Sequence, residues 1–165
     1  MKLVLALAAL AVAAAGCADP DRKTESVSHA AIAATAPAAP AGNCVPPPSE
    51  LTTKDLEPGD GDSVRFRSAV LVNYTGWLYD GCKPDFKGQE FDSSKGRMDL
   101  SFMVGAGRVI RGWDRGLIGM KEHGKRLLII PSDLGYGATG APPKIPPGAT
   151  LVFEVQVDKI IAQAQ

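Results

Sequence analysis

The chain has 165 residues, 45% of them hydrophobic and 6% aromatic, with 18 lysines and arginines against 18 aspartates and glutamates. That length suits one domain, or one domain and a tail. A formal charge of zero excludes a general nucleic-acid binder, which needs a basic excess against phosphate, and three cysteines with two histidines leave little material for a structural zinc site.

Lys2 precedes an unbroken apolar run of 13 residues, Leu3 to Ala15, followed by Gly16 and Cys17. The run falls short of the roughly 20 residues of a membrane span and suits the apolar region of a secretory signal. Ala14-Ala15-Gly16-Cys17 resembles a bacterial lipoprotein cleavage site. That resemblance implies a signal peptide over residues 1–16 and acylation of Cys17, which would anchor the chain to a membrane of the cell envelope. Ala18 rather than Asp after the cysteine points to the outer membrane, facing the periplasm. Ordinary signal cleavage after an Ala-x-Ala triplet is the alternative.

Residues 17–49 read as a tether. Between Ala18 and Pro48 lie nine alanines and six prolines, and Val27, Ile32 and Val45 are the only larger aliphatics. Such a stretch buries too little to offset its ordering entropy and is predicted to be a semi-extended linker. With Cys17 acylated, Cys44 and Cys82 remain as an even pair in an oxidising compartment. A bridge between them would contribute about 3–4 kcal/mol by loop closure; two free thiols are the other reading.

A domain over residues 50–162 follows. Pro58-Gly59-Asp60-Gly61-Asp62 is a turn. Val64, Phe66, Val70, Val72 and Tyr74 fall on alternate positions, predicting a half-buried strand interrupted near Ser68. Phe91 and Leu100 to Val104 suggest shorter strands. Ile110, Trp113, Leu117 and Met120 have helical spacing, with Gly112, Gly116 and Gly119 between them. A short helix so rich in glycine must be held by packing, so it is placed against the concave face of a sheet. Lys125 to Pro131 and Thr150 to Ile161 complete the strands. The fold class is α+β, about five antiparallel strands around one helix.

Five motifs occur in order. They are Val72-Asn73-Tyr74-Thr75-Gly76, Phe91-Asp92-Ser93-Ser94, Val109-Ile110-Arg111-Gly112-Trp113, Tyr136-Gly137-Ala138-Thr139-Gly140, and Ile145-Pro146-Pro147-Gly148 running on to Val155. The series resembles the FKBP-type peptidyl-prolyl cis–trans isomerases from about Leu51 to Ile161. The resemblance implies a twisted antiparallel sheet wrapped around a short helix. It also implies a pocket with Trp113 as its floor, Tyr74, Phe102 and Phe153 at its sides, and Val109 and Ile110 at its rim. Phe91 and Asp92 share a strand beside it, and the Tyr136 hydroxyl meets a substrate carbonyl. Asp92, Tyr136 and Trp113 are the candidate catalytic groups. The implied partners are proline-containing polypeptides and macrolides such as rapamycin, with no cofactor and no metal.

These residue types suit the chemistry. The peptide bond resists rotation by about 18–20 kcal/mol, and proline brings its cis form within reach. No covalent bond breaks. An apolar pocket that desolvates the carbonyl and grips the ring lowers the barrier. Ala141, Lys144, Leu100 and Leu134 depart from residues frequent in the family and are expected at the pocket rim. The segment from Gly81 to Glu90 is longer than in minimal members and is expected to bring Cys82, Lys83, Phe86 and Lys87 beside the site. A chaperone using the same pocket, and a surface-exposed isomerase acting on host proteins, are the rival functions. With no heptad segment, the chain is expected to be a monomer.

Overall fold

A computed structural model describes residues 44–162. The signal peptide, Cys17 and most of the tether lie outside the described residues. Six strands, β1 (Thr52–Glu57), β2 (Ala69–Tyr79), β3 (Lys87–Ser93), β4 (Leu100–Met103), β5 (Lys125–Ile130) and β6 (Leu151–Ala162), form one antiparallel sheet in the order β1-β5-β6-β2-β3, with β4 also paired to β2. Among the described residues one helix, α1 (Arg111–Gly116), crosses its concave face, and a single 3-10 turn spans Ser132–Leu134.

Period-2 alternation sorts the side chains of the long strands. Val70 and Val72 on β2, Leu128 and Ile130 on β5, and Leu151, Phe153, Val155 and Val157 on β6 turn inward with Trp113, Leu117 and Met120. Eight of these are fully buried, and β-branched chains at such positions suit a pleated, half-covered surface. The opposite face holds a smaller cluster of Leu127, Ile129 and Val152, against which Trp77, Tyr79 and Phe86 pack.

The expected helix is only six residues long, beginning after Ile110. Its glycines serve a close approach: a Cβ at Gly112 would stand 2.4 Å from Ile130 Cγ2, and one at Gly116 2.8 Å from Leu128 Cδ2. The two positions that weaken the helix intrinsically therefore let it lie directly on β5.

The expectation for the first alternating strand is corrected. The strand foreseen from Val64 begins at Ala69 instead. Ser68 Oγ accepts from the Arg65 amide at 2.9 Å, and Arg67 takes a positive φ of 65°, so the chain turns there. Val64 is buried but Phe66 is 60% exposed. The sixth strand, β1, lacks any inward side chain, since all six of its residues are exposed. Backbone pairing from Thr52↔Ile129 to Glu57↔Lys125 holds it. Arg126 also grips Asp55 through Nε at 2.5 Å and a second nitrogen at 3.1 Å. Charged side chains are what a sheet edge needs to discourage pairing with other chains.

Cys44 and Cys82 are joined in a disulfide with an S–S distance of 1.96 Å. Beside it the Val45 amide donates to the Gly81 carbonyl at 2.9 Å, and the Tyr79 hydroxyl donates to the Val45 carbonyl at 3.0 Å. The bridge thus staples the end of the tether to the β2–β3 turn. That turn does not flank the pocket, contrary to expectation. Phe86 stacks on Tyr79 at 5.5 Å, while Lys87 lies 4.7 Å over the Trp77 ring and pairs with Glu154 at 2.7 Å, all on the outer face of the sheet.

Candidate active site

On the concave face, between helix and sheet, a cavity of about 180 Å³ is lined by Tyr74, Phe91, Asp92, Leu100, Arg108, Val109, Ile110, Trp113, Tyr136 and Phe153. Several separate elements deliver these side chains. Tyr74 comes from β2, Phe91 and Asp92 from β3, and Phe153 from β6. The loop before α1 supplies Val109 and Ile110, and the segment after the 3-10 turn supplies Tyr136.

Trp113 sits at the centre of an aromatic box. Its ring meets Tyr74 at 5.1 Å and 77°, and Phe153 at 5.2 Å and 84°. Phe91 meets Phe153 at 5.4 Å and 88°. These edge-to-face contacts fix ring orientations, each contributing about 0.5–1.5 kcal/mol beyond area burial. The indole N–H is buried with no hydrogen-bond partner among the described residues, so packing alone holds Trp113 in place.

The polar part is a short chain. The Tyr74 hydroxyl donates to Asp92 Oδ2 at 2.6 Å, and Arg97 donates to Asp92 Oδ1 at 2.7 Å. Arg97 also donates to the Ser93 carbonyl. Burial pushes the Tyr74 phenol up, and the adjacent Asp92 adds to it, to about 12. Burial alone would raise the Asp92 carboxyl, but the hydrogen bonds from Tyr74 and Arg97 outweigh it and hold Asp92 below the usual carboxylate value. Burial, then the Asp92 charge, raises the Tyr136 phenol. Tyr136 is 42% exposed, and its hydroxyl has no hydrogen-bond partner among the described residues.

Eight of the nine expected pocket residues therefore line one cavity. Phe102 does not line it: buried on β4, it packs behind Trp113 at 5.7 Å. Of the four rim departures only Leu100 lines the cavity. Leu134 is buried in the core, Ala141 packs on its edge, and the Lys144 ammonium donates to the Phe91 carbonyl at 2.8 Å. Sequence reasoning missed Arg97 and Arg108. Five residues separate Arg97 from Asp92 across a turn, a spacing without periodic signature. Another concavity, of about 450 Å³, lies on the outer face. Several of its polar groups bond one another, as in Asn73 to Asp158 at 2.5 Å and Ser94 to Asn73 at 2.9 Å.

The chain matches the FKBP-type peptidyl-prolyl cis-trans isomerase family over residues 58–158. It is 49% identical over 111 residues to the "FK506-binding protein" of Neisseria meningitidis serogroup A, covering 67% of this chain and 95% of that one. It is 57% identical over 90 residues to human "Peptidyl-prolyl cis-trans isomerase FKBP2", covering 54% and 58% respectively. Among solved structures, AtFKBP13 superposes with a TM-score of 0.58 at 34% identity, over 69% of this chain and 95% of that one. A peptidyl-prolyl cis-trans isomerase from Pseudomonas syringae pv. tomato superposes with a TM-score of 0.56 at 35% identity, over 67% and 74%. A cavity between one short helix and the concave face of an antiparallel sheet defines the class. The chain belongs to the FKBP-type peptidyl-prolyl cis–trans isomerases.

The electrostatics set a pH expectation. Asp92 holds its proton less tightly folded than unfolded, so its ionised form stabilises the fold above the unfolded value. That contribution is lost as pH falls through the lower folded value. Tyr74 stays protonated up to about 12. Isomerase kcat/KM is therefore expected to be flat from about pH 5.5 to 9 and to decline only in acid. A pH–rate profile with a midpoint near neutrality would contradict this.

Proposed function

We propose that this isomerase turns X-Pro bonds in its concave pocket and, at the cell envelope, assists the folding of exported proteins. In this reading Trp113 is the floor for the proline ring, Tyr74, Phe91 and Phe153 are the walls, and Val109 and Ile110 are the rim. Tyr136 offers its unpaired hydroxyl to a substrate carbonyl. Asp92, ionised and paired with Arg97, holds the Tyr74 hydroxyl and places a polar group beside the twisting amide.

The carrying observation is the right-angled box of Tyr74, Trp113 and Phe153 around a cavity that holds one carboxylate. In water the planar amide is stabilised by solvating its charge-separated form. Moving it among aromatic walls removes that solvation and favours the twisted state, in which resonance is lost. The box orients the ring while rotation proceeds, and no nucleophile is needed. The name of the Neisseria relative supports binding of FK506-like macrolides by the same rings.

The envelope role rests on the first 49 residues: a signal peptide over 1–16, an acylated Cys17 and a tether over 17–49 that the Cys44–Cys82 bridge fastens near its end. The domain proper is residues 50–162. A proline-limited refolding assay on the full chain tests the activity, and the mass of the mature N-terminal peptide tests the anchor. Acceleration of the slow refolding phase is expected. Suppression of aggregation without acceleration would instead mark a chaperone.

A further inference from the structure

Only two of the ten cavity-lining residues are charged, Asp92 and Arg108. They differ in what they can offer a ligand. Asp92 is already neutralised by Arg97 at 2.7 Å and bonded by Tyr74 at 2.6 Å. Arg108 is exposed, and among the described residues its side chain has no ion pair and no hydrogen bond. Its backbone is nevertheless well placed. Asp114 on α1 accepts from the Gly105 amide at 2.7 Å and the Gly107 amide at 3.1 Å, so the loop that delivers Arg108 is pinned from below.

Two other cations, Arg111 beside the lining Ile110 and Lys144, do not line the cavity and are held by uncharged partners. Arg111 donates to the Asp133 carbonyl at 2.5 Å, and Lys144 to the Phe91 carbonyl at 2.8 Å. A carbonyl orients such a group without cancelling its charge. Asp99, Asp114 and Asp133 are the acidic residues nearest in sequence to Arg108 and Arg111, and none forms an ion pair with Arg108. Among the ten residues that line the cavity, Arg108 thus carries the one charge with no hydrogen-bond or ion-pair partner among the described residues.

We infer that Arg108 is a specificity residue, selecting proline segments with an acidic side chain next to the proline. This rests on the isomerase reading of the pocket. A carboxylate one residue from a ring seated on Trp113 meets Arg108 at the lip, whereas a lysine there meets a like charge. Exposed ion pairs contribute modestly, so the swing from attraction to repulsion corresponds to about a three- to tenfold preference. Salt screens it, since the Debye length shrinks from about 10 Å at 0.1 M to 3 Å at 1 M.

The test uses the full chain and two series of short peptides, one varied just before the proline and one just after, with Glu, Gln or Lys at that place. Turnover is followed by cis–trans kinetics and binding by tryptophan fluorescence. In at least one series Glu is expected to exceed Lys by about three- to tenfold at low salt and to lose that lead at 1 M salt. Arg108→Gln is expected to bring the Glu-to-Lys ratio close to one, and Arg108→Glu to invert it. A purely structural role would not invert a ratio measured within each variant. Equal Glu and Lys values in both series, or a ratio untouched by Arg108→Gln, overturn the inference while leaving the isomerase reading intact. Binding with the predicted charge preference but no turnover upholds the inference and sinks the isomerase reading. No binding and no turnover with any peptide overturns both.

Discussion

Trp113→Leu is expected to lower kcat/KM on an X-Pro peptide by about ten- to a hundredfold and to lower thermal stability as well. The substitution keeps an apolar side chain at the floor of the pocket but removes the ring that meets Tyr74 at 5.1 Å, Phe153 at 5.2 Å and Phe102 at 5.7 Å. Each contact contributes about 0.5–1.5 kcal/mol, and the cavity left behind adds to the loss, for a total of about 2–4 kcal/mol. No hydrogen bond is sacrificed, because the indole N–H has no partner among the described residues. The variant therefore isolates ring packing. Losing about 1.4–2.8 kcal/mol of transition-state stabilisation gives the ten- to hundredfold range. Kinetics well below the variant's melting midpoint separate activity from stability, and Trp113→Phe is expected to recover some of both. A folded Trp113→Leu protein within twofold of the parent would remove Trp113 from the site.

Reducing the Cys44–Cys82 bridge is expected to lower the melting midpoint by about 10–20 °C. The bridge spans 38 residues, which include all of β1 and β2. Closing a loop of that size in the unfolded chain corresponds to about 4 kcal/mol, and each kcal/mol shifts a domain of this size by several degrees. Macrolide or peptide affinity is expected to change little at temperatures where the domain stays folded. The bridge adjoins the outer-face cluster of Tyr79 and Phe86, not the aromatic box. Melting curves with and without reductant, and of Cys44→Ser/Cys82→Ser, check this. A shift under about 2 °C would mean that hydrogen bonds hold the segment without the bridge.

The features legible in the sequence are those that alternate or recur. Val70, Val72 and Tyr74 announce the inward face of β2 because a half-buried strand repeats every two residues. Ile110, Trp113 and Leu117 announce the helix, although it is shorter than their spacing suggests. Family motifs bring Asp92, Tyr136 and Phe153 to the same cavity, which no periodicity can do across sixty residues. What is illegible has no one-dimensional signature. β1 is held by backbone pairing and ion pairs, with nothing apolar to alternate. Arg97 finds Asp92 through a turn, and Arg108 matters for the partner it lacks. Phe66 points inward by alternation, yet Arg67 turns the chain with a positive φ. Phe102 is inward as its strand pattern implies, but it packs behind Trp113 and does not reach the cavity.

The bridge also decides how tension enters the domain. A pull arriving from residues before Cys44 would otherwise pass along residues 45–51 into β1, an exposed edge strand paired only to β5. Strands peeled from an edge come away pair by pair. Through Cys82 the same pull reaches the turn that closes β2, which pairs with β3, β4 and β6 at once. A pull on the segment before Cys44 would thus load the strand with the most partners, and the edge pairing of β1 with β5 would be spared.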